Sequence, residues 1–432
     1  MQIKPARIII FSFLSVIIAG TLLLLLPAST SQQVSFIDAL FTATSATCVT
    51  GLIVKDTGSF FTPLGQGIIM LLFQFGGLGI MTLSTIFALM LGRRITITGR
   101  KTLSLAFENV EFDMKLLLKG IVIFTILIEL LGACLFKLFF PEMGIFSALF
   151  HSVSAFCNAG FSLFETSFQK FRSLGSINIL TTTLIIAGGL GFLVLFDLMR
   201  WVKGKILKKS SRLTLHSKIV MVVSLILILV GMSSIFIIEG DHLFSEYSFS
   251  EKCFASYFQS VTARTAGFNT VEIGGLQKGS KLMLGALMFI GASPGSTGGG
   301  IKTVTFALVV LGLIALLRRS AQIRISKRAI PMHVFEKAIA IFVLSIVWIF
   351  FATTVLSIVD NRSFLNILFE VVSAFGTVGL SCGITAGLTT VGKLIIILTM
   401  FFGRIGPMTL AIALANRNEA DFKLPEENVM VG

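Results

Sequence analysis

Charge is scarce in this chain of 432 residues: Asp, Glu, Lys and Arg together make up 13%, and only 21 of them are acidic against 35 basic. A soluble domain carries about 25% charged residues, so an ordinary water-facing surface is excluded. Cysteine is equally thin. The five, Cys48, Cys134, Cys157, Cys253 and Cys382, form no C-x-x-C pair and sit in apolar runs, which argues against disulfides or zinc and for small buried side chains. The four histidines, His151, His216, His242 and His333, have no ligand spacing. No nucleophile-and-base constellation or cofactor fingerprint is present, so an enzyme is not expected. The net charge of +14 would suit nucleic acid, but the basic residues cluster beside apolar runs. Membrane topology explains that pattern, and no nucleic-acid partner is expected.

Apolar residues are what the chain has: 55% hydrophobic, with 42 phenylalanines. That composition implies an all-α polytopic membrane protein. Along it, four short stretches recur: CVTGL from Cys48, CNAGF from Cys157, RTAGF from Arg264 and GTVGL from Gly376. Their glycines, Gly51, Gly160, Gly267 and Gly379, lie 109, 107 and 112 positions apart. Each follows a similar lead-in, FTATSAT to Thr47, FHSVSAF to Phe156, YFQSVTA to Ala263 and FEVVSAF to Phe375. Repetition at a fixed period marks one structural unit used four times. Each lead-in predicts a helix of about a dozen residues, too short to cross a core that needs about 20, so it enters and turns back.

The remaining apolar runs complete each unit as helix, pore loop, helix. The outer helices are expected at Ile8–Leu26, Leu116–Phe139, Leu215–Ile238 and Val334–Val359, and the re-entrant ones at Phe36–Thr47, Ile145–Phe156, Ser250–Ala263 and Ser363–Phe375. The inner segments are Leu64–Leu91, Ile177–Trp201, Leu282–Leu317 and Val391–Ala415, the first two carrying GGLG at Gly76–Gly79 and Gly188–Gly191. Unit boundaries fall at 1–101, 102–213, 214–330 and 331–432. The first run is too long for the apolar core of a signal peptide and fits a spanning helix. Lys and Arg number 2, 6, 7, 6 and 2 in segments 1–7, 92–119, 200–218, 318–337 and 416–432, against 1, 2, 3 and 1 in the alternate segments. The positive-inside rule therefore puts both termini in the cytoplasm of a cell (inner) membrane, with eight spanning helices and the re-entrant stretches entering from outside.

Irregular backbone at membrane depth must be buried in protein or line a watery cavity. Four such stretches can face one another, and their carbonyls can then replace the hydration shell of an ion. GTVGL reproduces the TVG of the potassium-channel filter, and no re-entrant stretch carries a ring of Asp or Glu, so selection falls to backbone dipoles and favours a weakly hydrated cation such as K⁺. The candidate filter residues are Cys48, Val49, Thr50, Gly51, Cys157, Asn158, Ala159, Gly160, Thr265, Ala266, Gly267, Gly376, Thr377, Val378 and Gly379. The third inner segment is interrupted by GASPGSTGGGIKT, Gly291 to Thr303, whose Pro294 and five glycines cannot remain helical. It is not a phosphate-binding loop, because Ile301 separates Gly300 from Lys302. Arg404 lies inside the last apolar run and Glu129 inside an outer helix. Intramembrane charge marks an ion pathway, a coupling site or a paired partner.

Through the four loops and through DTGSFFTPLGQ from Asp56, FQFGGLGIMT from Phe73, IIAGGLGFLVLFD from Ile185, ARTAGFN from Ala263, SAFGTVGL from Ser373 and FFGRIGPMT from Phe401, the chain resembles the Trk/Ktr/HKT superfamily of potassium transporters, and within it the KtrB-type subunit. The resemblance implies potassium uptake, often sodium-dependent, with K⁺ as transported ion and Na⁺ as an activating or coupling ion. It implies a homodimer in the lipid membrane with one pore per protomer, and a cytoplasmic nucleotide-binding ring of KtrA type. It also implies that the interruption is an intramembrane gate of Gly291, Ser293, Pro294, Gly295, Gly298, Gly299, Gly300 and Lys302, with Arg404 beside it to repel or latch. Members selective for sodium often have Ser in place of the first filter glycine, and Gly51 therefore fits potassium. The alternatives are a Trk-type system without sodium dependence and an alternating-access symporter, whose broken helices also occur in repeats.

Overall fold

The computed structural model describes residues 5–79, 114–208, 211–320, 322–325, 328–407 and 409. The first unit runs through α1 (Pro5–Leu24), α2 (Phe36–Thr47) and α3 (Pro63–Leu78). The second comprises α4 (Met114–Phe139), α5 (Ile145–Cys157), α6 (Gly175–Leu190) and α7 (Phe192–Ile206). In the third are α8 (Leu215–Glu239), α9 (Phe249–Thr262), α10 (Lys278–Phe289) and α11 (Thr303–Leu317). A hairpin of β1 (Ile323–Ile325) and β2 (Arg328–Ile330) leads to the fourth, α12 (Met332–Val359), α13 (Phe364–Gly376) and α14 (Thr390–Ile405).

The outer helices α1, α4, α8 and α12 have 20, 26, 25 and 28 residues, enough at about 1.5 Å per residue to cross a core about 30 Å thick. The re-entrant helices α2, α5, α9 and α13 have 12, 13, 14 and 13 and fall well short. They are nonetheless the most buried elements, almost solidly so from Asp38, Phe150, Ala255 and Phe369 onward. Their starts are fixed locally. The Ser35 hydroxyl accepts the Asp38 N–H at 3.2 Å, and Ser248 with Glu251 forms a reciprocal capping box on α9; such caps contribute about 1 kcal/mol each.

Packing closes the four units into a ring. Each re-entrant helix lies against its own outer helix, and each inner helix lies against the re-entrant helix of the next unit: α3 on α5, α6 on α9, α10 on α13, and α14 back on α2. The last contact joins the two ends of the chain and carries the Lys393–Asp38 ion pair at 2.7 Å. Small residues make the approach possible. A Cβ on Gly76, Gly188 or Gly403 would strike the carbonyl oxygen of Thr47, Phe156 or Phe375, the last turn of the unit's own re-entrant helix. Gly188→Ala should therefore destabilise the protein by about 1–3 kcal/mol through backbone displacement, read as a lower thermal unfolding midpoint in detergent.

The structure corrects the sequence reading at four points. The inner segments are not uninterrupted spans: α6 and α7 meet at 103°, and α3, α6 and α14 all end at a glycine, Gly79, Gly191 and Gly406, with φ of +81°, +91° and +90°. Only the outer helices among the described residues are single apolar helices long enough to cross a membrane, so of the eight expected spanning helices four are single long helices and the described parts of the inner segments are shorter helices. The physical reason is glycine's access to positive φ, which ends the helix without steric cost. The hairpin was not anticipated, being two strands of three residues each. Nor are most of the cysteines fully buried: Cys48 and Cys157 are, Cys253 and Cys382 are half-buried, and Cys134 is exposed on α4. The expected inner stretch 80–91 and the basic residues Arg93 and Arg94 lie outside the described residues, as do the segment 411–432 and most of the loop 92–119.

Candidate functional site

The four re-entrant helices point their C-terminal ends at one place, and the loops that leave them share one backbone path. Val49, Asn158, Thr265 and Thr377, the second residue of each motif, have φ of +58°, +59°, +74° and +49°; two residues on, Gly51, Gly160, Gly267 and Gly379 have φ of +87°, +70°, +80° and +93°. The intervening Thr50, Ala159, Ala266 and Val378 have ordinary negative φ. A left-handed conformation at a non-glycine residue costs about 1–2 kcal/mol, and four copies at one position identify a demanded conformation rather than an accident.

The glycines form the ring. A Cβ on Gly51 would lie 3.0 Å from the Gly160 Cα, one on Gly160 3.0 Å from the Gly267 Cα, one on Gly267 3.2 Å from the Gly379 Cα, and one on Gly379 3.0 Å from the Gly51 Cα. The nearest obstacle in each case is a carbonyl oxygen of the next loop: Ala159, Ala266, Val378 and Thr50 in turn. Each loop's glycine thus packs on a carbonyl of the next loop with no side chain between them, and the four contacts close a ring. Helix dipoles add partial negative charge there from four directions. Cys48 caps the end of α2, Cys157 and Gly376 are the last residues of α5 and α13, and the Asn158 amide lies 3.2 Å from Thr265 Oγ1, tying the second loop to the third.

Directly against this ring lies the segment between α10 and α11. Gly299 N–H donates to Thr377 Oγ1 at 2.9 Å, and the absence of a Cβ on Gly298 leaves room for Thr265 Oγ1. Gly300 packs backbone to backbone with Gly376, at 3.2 Å from a Gly300 Cβ position to the Gly376 Cα, and Gly291 packs in turn on Gly299 and Gly300. On its other side the segment is stitched to the bend of the second unit: Ser293 N–H donates to the Gly189 carbonyl at 3.1 Å, Phe192 N–H to Gly295 at 3.0 Å, and the Pro294 carbonyl rests on Gly191. Arg404 spans the space between units, donating to the carbonyls of Thr297 in this segment and Gly76 in α3. The Lys302 ammonium instead turns back on its own segment, 2.6 Å from the Gly298 carbonyl.

The site residues read from sequence thus converge, with two different outcomes for the intramembrane charges. Arg404 reaches the interrupted segment; Glu129 stands behind the second loop, accepting from Gln74 Nε2 at 3.1 Å, while Cys157 Sγ donates to Gln74 Oε1 at 3.2 Å. Sequence reasoning missed Gln74, and it missed His151 and Glu370, fully buried polar residues at one repeat position of the second and fourth re-entrant helices. Their common distance of nine residues ahead of Gly160 and Gly379 was the available signal.

The family model described as TrkH, a cation transport protein, matches residues 4–423. Over its full length the chain is 39% identical to the Ktr system potassium uptake protein B of Bacillus subtilis, covering 98% of that protein. It is 36% identical, again over its full length and 98% of the relative, to the potassium/sodium uptake protein NtpJ of Enterococcus hirae. The crystal structure of the potassium transporter TrkH from Vibrio parahaemolyticus matches with a TM-score of 0.77 over 96% of this chain and 85% of that one, at 22% identity; this likeness concerns the fold. Apolar helices long enough to cross a membrane, arranged around a ring of closely packed loop glycines, and a family match spanning nearly the whole chain agree: the protein belongs to the TrkH family of cation transport proteins, which are transporters and not enzymes.

Proposed function

We propose that this protein is the potassium-translocating membrane subunit of a Ktr-type uptake system. The observation that carries the proposal is the closed ring of Gly51, Gly160, Gly267 and Gly379 with the carbonyls of Thr50, Ala159, Ala266 and Val378 gathered around it. Such an arrangement coordinates a dehydrated cation by dipoles alone. The segment from Gly291 to Lys302 is the gate: it touches two of the four loops and is held by Arg404, so an ion passing the ring meets it next. Opening requires the Arg404 contacts to break. The lysine and arginine distribution supports cytoplasmic termini in the cell membrane and a ring exposed to the outside. A relative named as protein B of a Ktr system supports a further subunit of that system, in our reading a cytoplasmic nucleotide-binding ring of KtrA type on a homodimer of this chain, and the relative named for potassium and sodium supports Na⁺ as an activating or coupling ion. The basic stretch from Lys203 to Arg212 is where a cytoplasmic partner or anionic lipid would meet the subunit.

The proposal is tested by growth. In a bacterium stripped of its own potassium uptake systems, co-expression of this chain with a regulatory ring subunit should restore growth at sub-millimolar K⁺. Failure with both proteins present in the membrane would contradict potassium uptake.

A further inference from the structure

Behind the ring, the second and fourth units each hold a buried polar residue for which ion coordination and gating have no use. His151 of α5 and Glu370 of α13 are fully buried and precede their filter glycines by the same nine residues. Each reaches the serine two residues past its glycine: His151 Nε2 lies 3.0 Å from Ser162 Oγ, and Glu370 Oε2 accepts from Ser381 Oγ at 3.1 Å. Units two and four are diagonal neighbours in the cyclic order of the glycines. The other diagonal is built differently. Thr42 bonds only the Asp38 carbonyl of its own helix, at 2.9 Å, and Phe258 occupies the same position in the third unit.

We propose that His151 and Glu370 are positioning residues that set the selectivity of the ring by clamping the outgoing strand of the two diagonal loops. The bonding around each fits that role. His151 Nδ1 lies 2.8 Å from the Ser147 carbonyl, which can only accept, so Nδ1 carries the proton. Nε2 is then an acceptor, and it takes the Leu163 N–H at 3.3 Å as well as the Ser162 hydroxyl. Glu370 Oε1 accepts from Thr385, whose hydroxyl is also 2.9 Å from Ser381 Oγ, and Ser381 Oγ in turn accepts the Gly383 N–H at 2.9 Å. Each clamp thus fixes the backbone just past the ring, and a filter that selects by carbonyl position requires that backbone to stay in place. A fully satisfied buried polar network supplies such rigidity.

The inference rests on the carbonyl ring being the selectivity filter, and the test separates the two. Rubidium uptake into liposomes is measured with the full chain and its regulatory ring, for His151→Phe, which copies the third unit, for Glu370→Met, and for the acceptor-preserving His151→Gln and Glu370→Gln. Half-saturating Rb⁺ should rise about tenfold in His151→Phe and Glu370→Met, the equivalent of losing one or two buried hydrogen bonds, and Na⁺ should compete better. The two glutamine variants should return to within about threefold of the parent. A general structural defect would instead lower the maximal rate of all four alike, and would overturn the proposal. So would parental affinity and competition in His151→Phe and Glu370→Met. Gly51→Ser in the same assay marks the level of failure: if it too leaves Na⁺ competition unchanged, the filter assignment falls; if it alone changes competition, only the clamp falls.

Discussion

Replacing Gly379 by serine should cost the protein at least about tenfold in discrimination of K⁺ over Na⁺. The residue stands at φ +93°, and a Cβ there would strike the Thr50 carbonyl of the first unit. A side chain in that backbone region costs about 1–3 kcal/mol, which the loop relieves by leaving the conformation. Either way the Thr50 and Val378 carbonyls separate, and the site loses the four-sided dipole cage that suits the weakly hydrated ion. Na⁺, smaller and content with fewer oxygens plus water, loses less. The measurement is competition of Rb⁺ uptake by K⁺ and by Na⁺. Unchanged ratios in a folded variant would show that Gly379 does not border the ion.

Substituting Arg404 by methionine should raise the unregulated flux by up to about two orders of magnitude. The guanidinium holds the Thr297 carbonyl of the interrupted segment and the Gly76 carbonyl of α3 together. Hydrogen bonds from a charged donor contribute about 1.5–3 kcal/mol each, and only the bond to Thr297 restrains the segment directly. Its loss moves a closed-to-open equilibrium by about 10- to 100-fold. Deleting Gly295 to Gly300 should act in the same direction by removing the proposed gate. Loss of transport in well-folded Arg404→Met protein would instead make the arginine part of the conducting path.

Much of this arrangement was legible in the chain because the repeat is written in residue types. The spacing of Gly51, Gly160, Gly267 and Gly379 and the short lead-ins fix four re-entrant helices almost to the residue, and Pro294 with its glycines fixes the interruption between Phe289 and Thr303. The breaks at Gly79, Gly191 and Gly406 were not legible. A glycine inside an apolar run reads equally as a close-packing site and as a hinge, and the first reading holds for Gly76, Gly188 and Gly403 three residues earlier. The positive φ at Val49, Thr265 and Thr377 escaped for another reason: β-branched side chains disfavour it, only Asn158 is of a type that adopts it readily, and tertiary contact imposes it on the others. The partner of Glu129 was equally hidden, since Gln74 is 55 positions away in another unit.

Whether the glycine ring conducts potassium is decided by the purified chain in liposomes. Uptake of radioactive rubidium is followed with the regulatory ring and nucleotide present, against graded K⁺ or Na⁺, with and without Na⁺ as activator. K⁺ should suppress uptake at concentrations at least about tenfold below those at which Na⁺ does so, and uptake should disappear in protein-free vesicles. Uptake suppressed equally by both ions, or none in the presence of ring and nucleotide, would contradict potassium conduction by the ring.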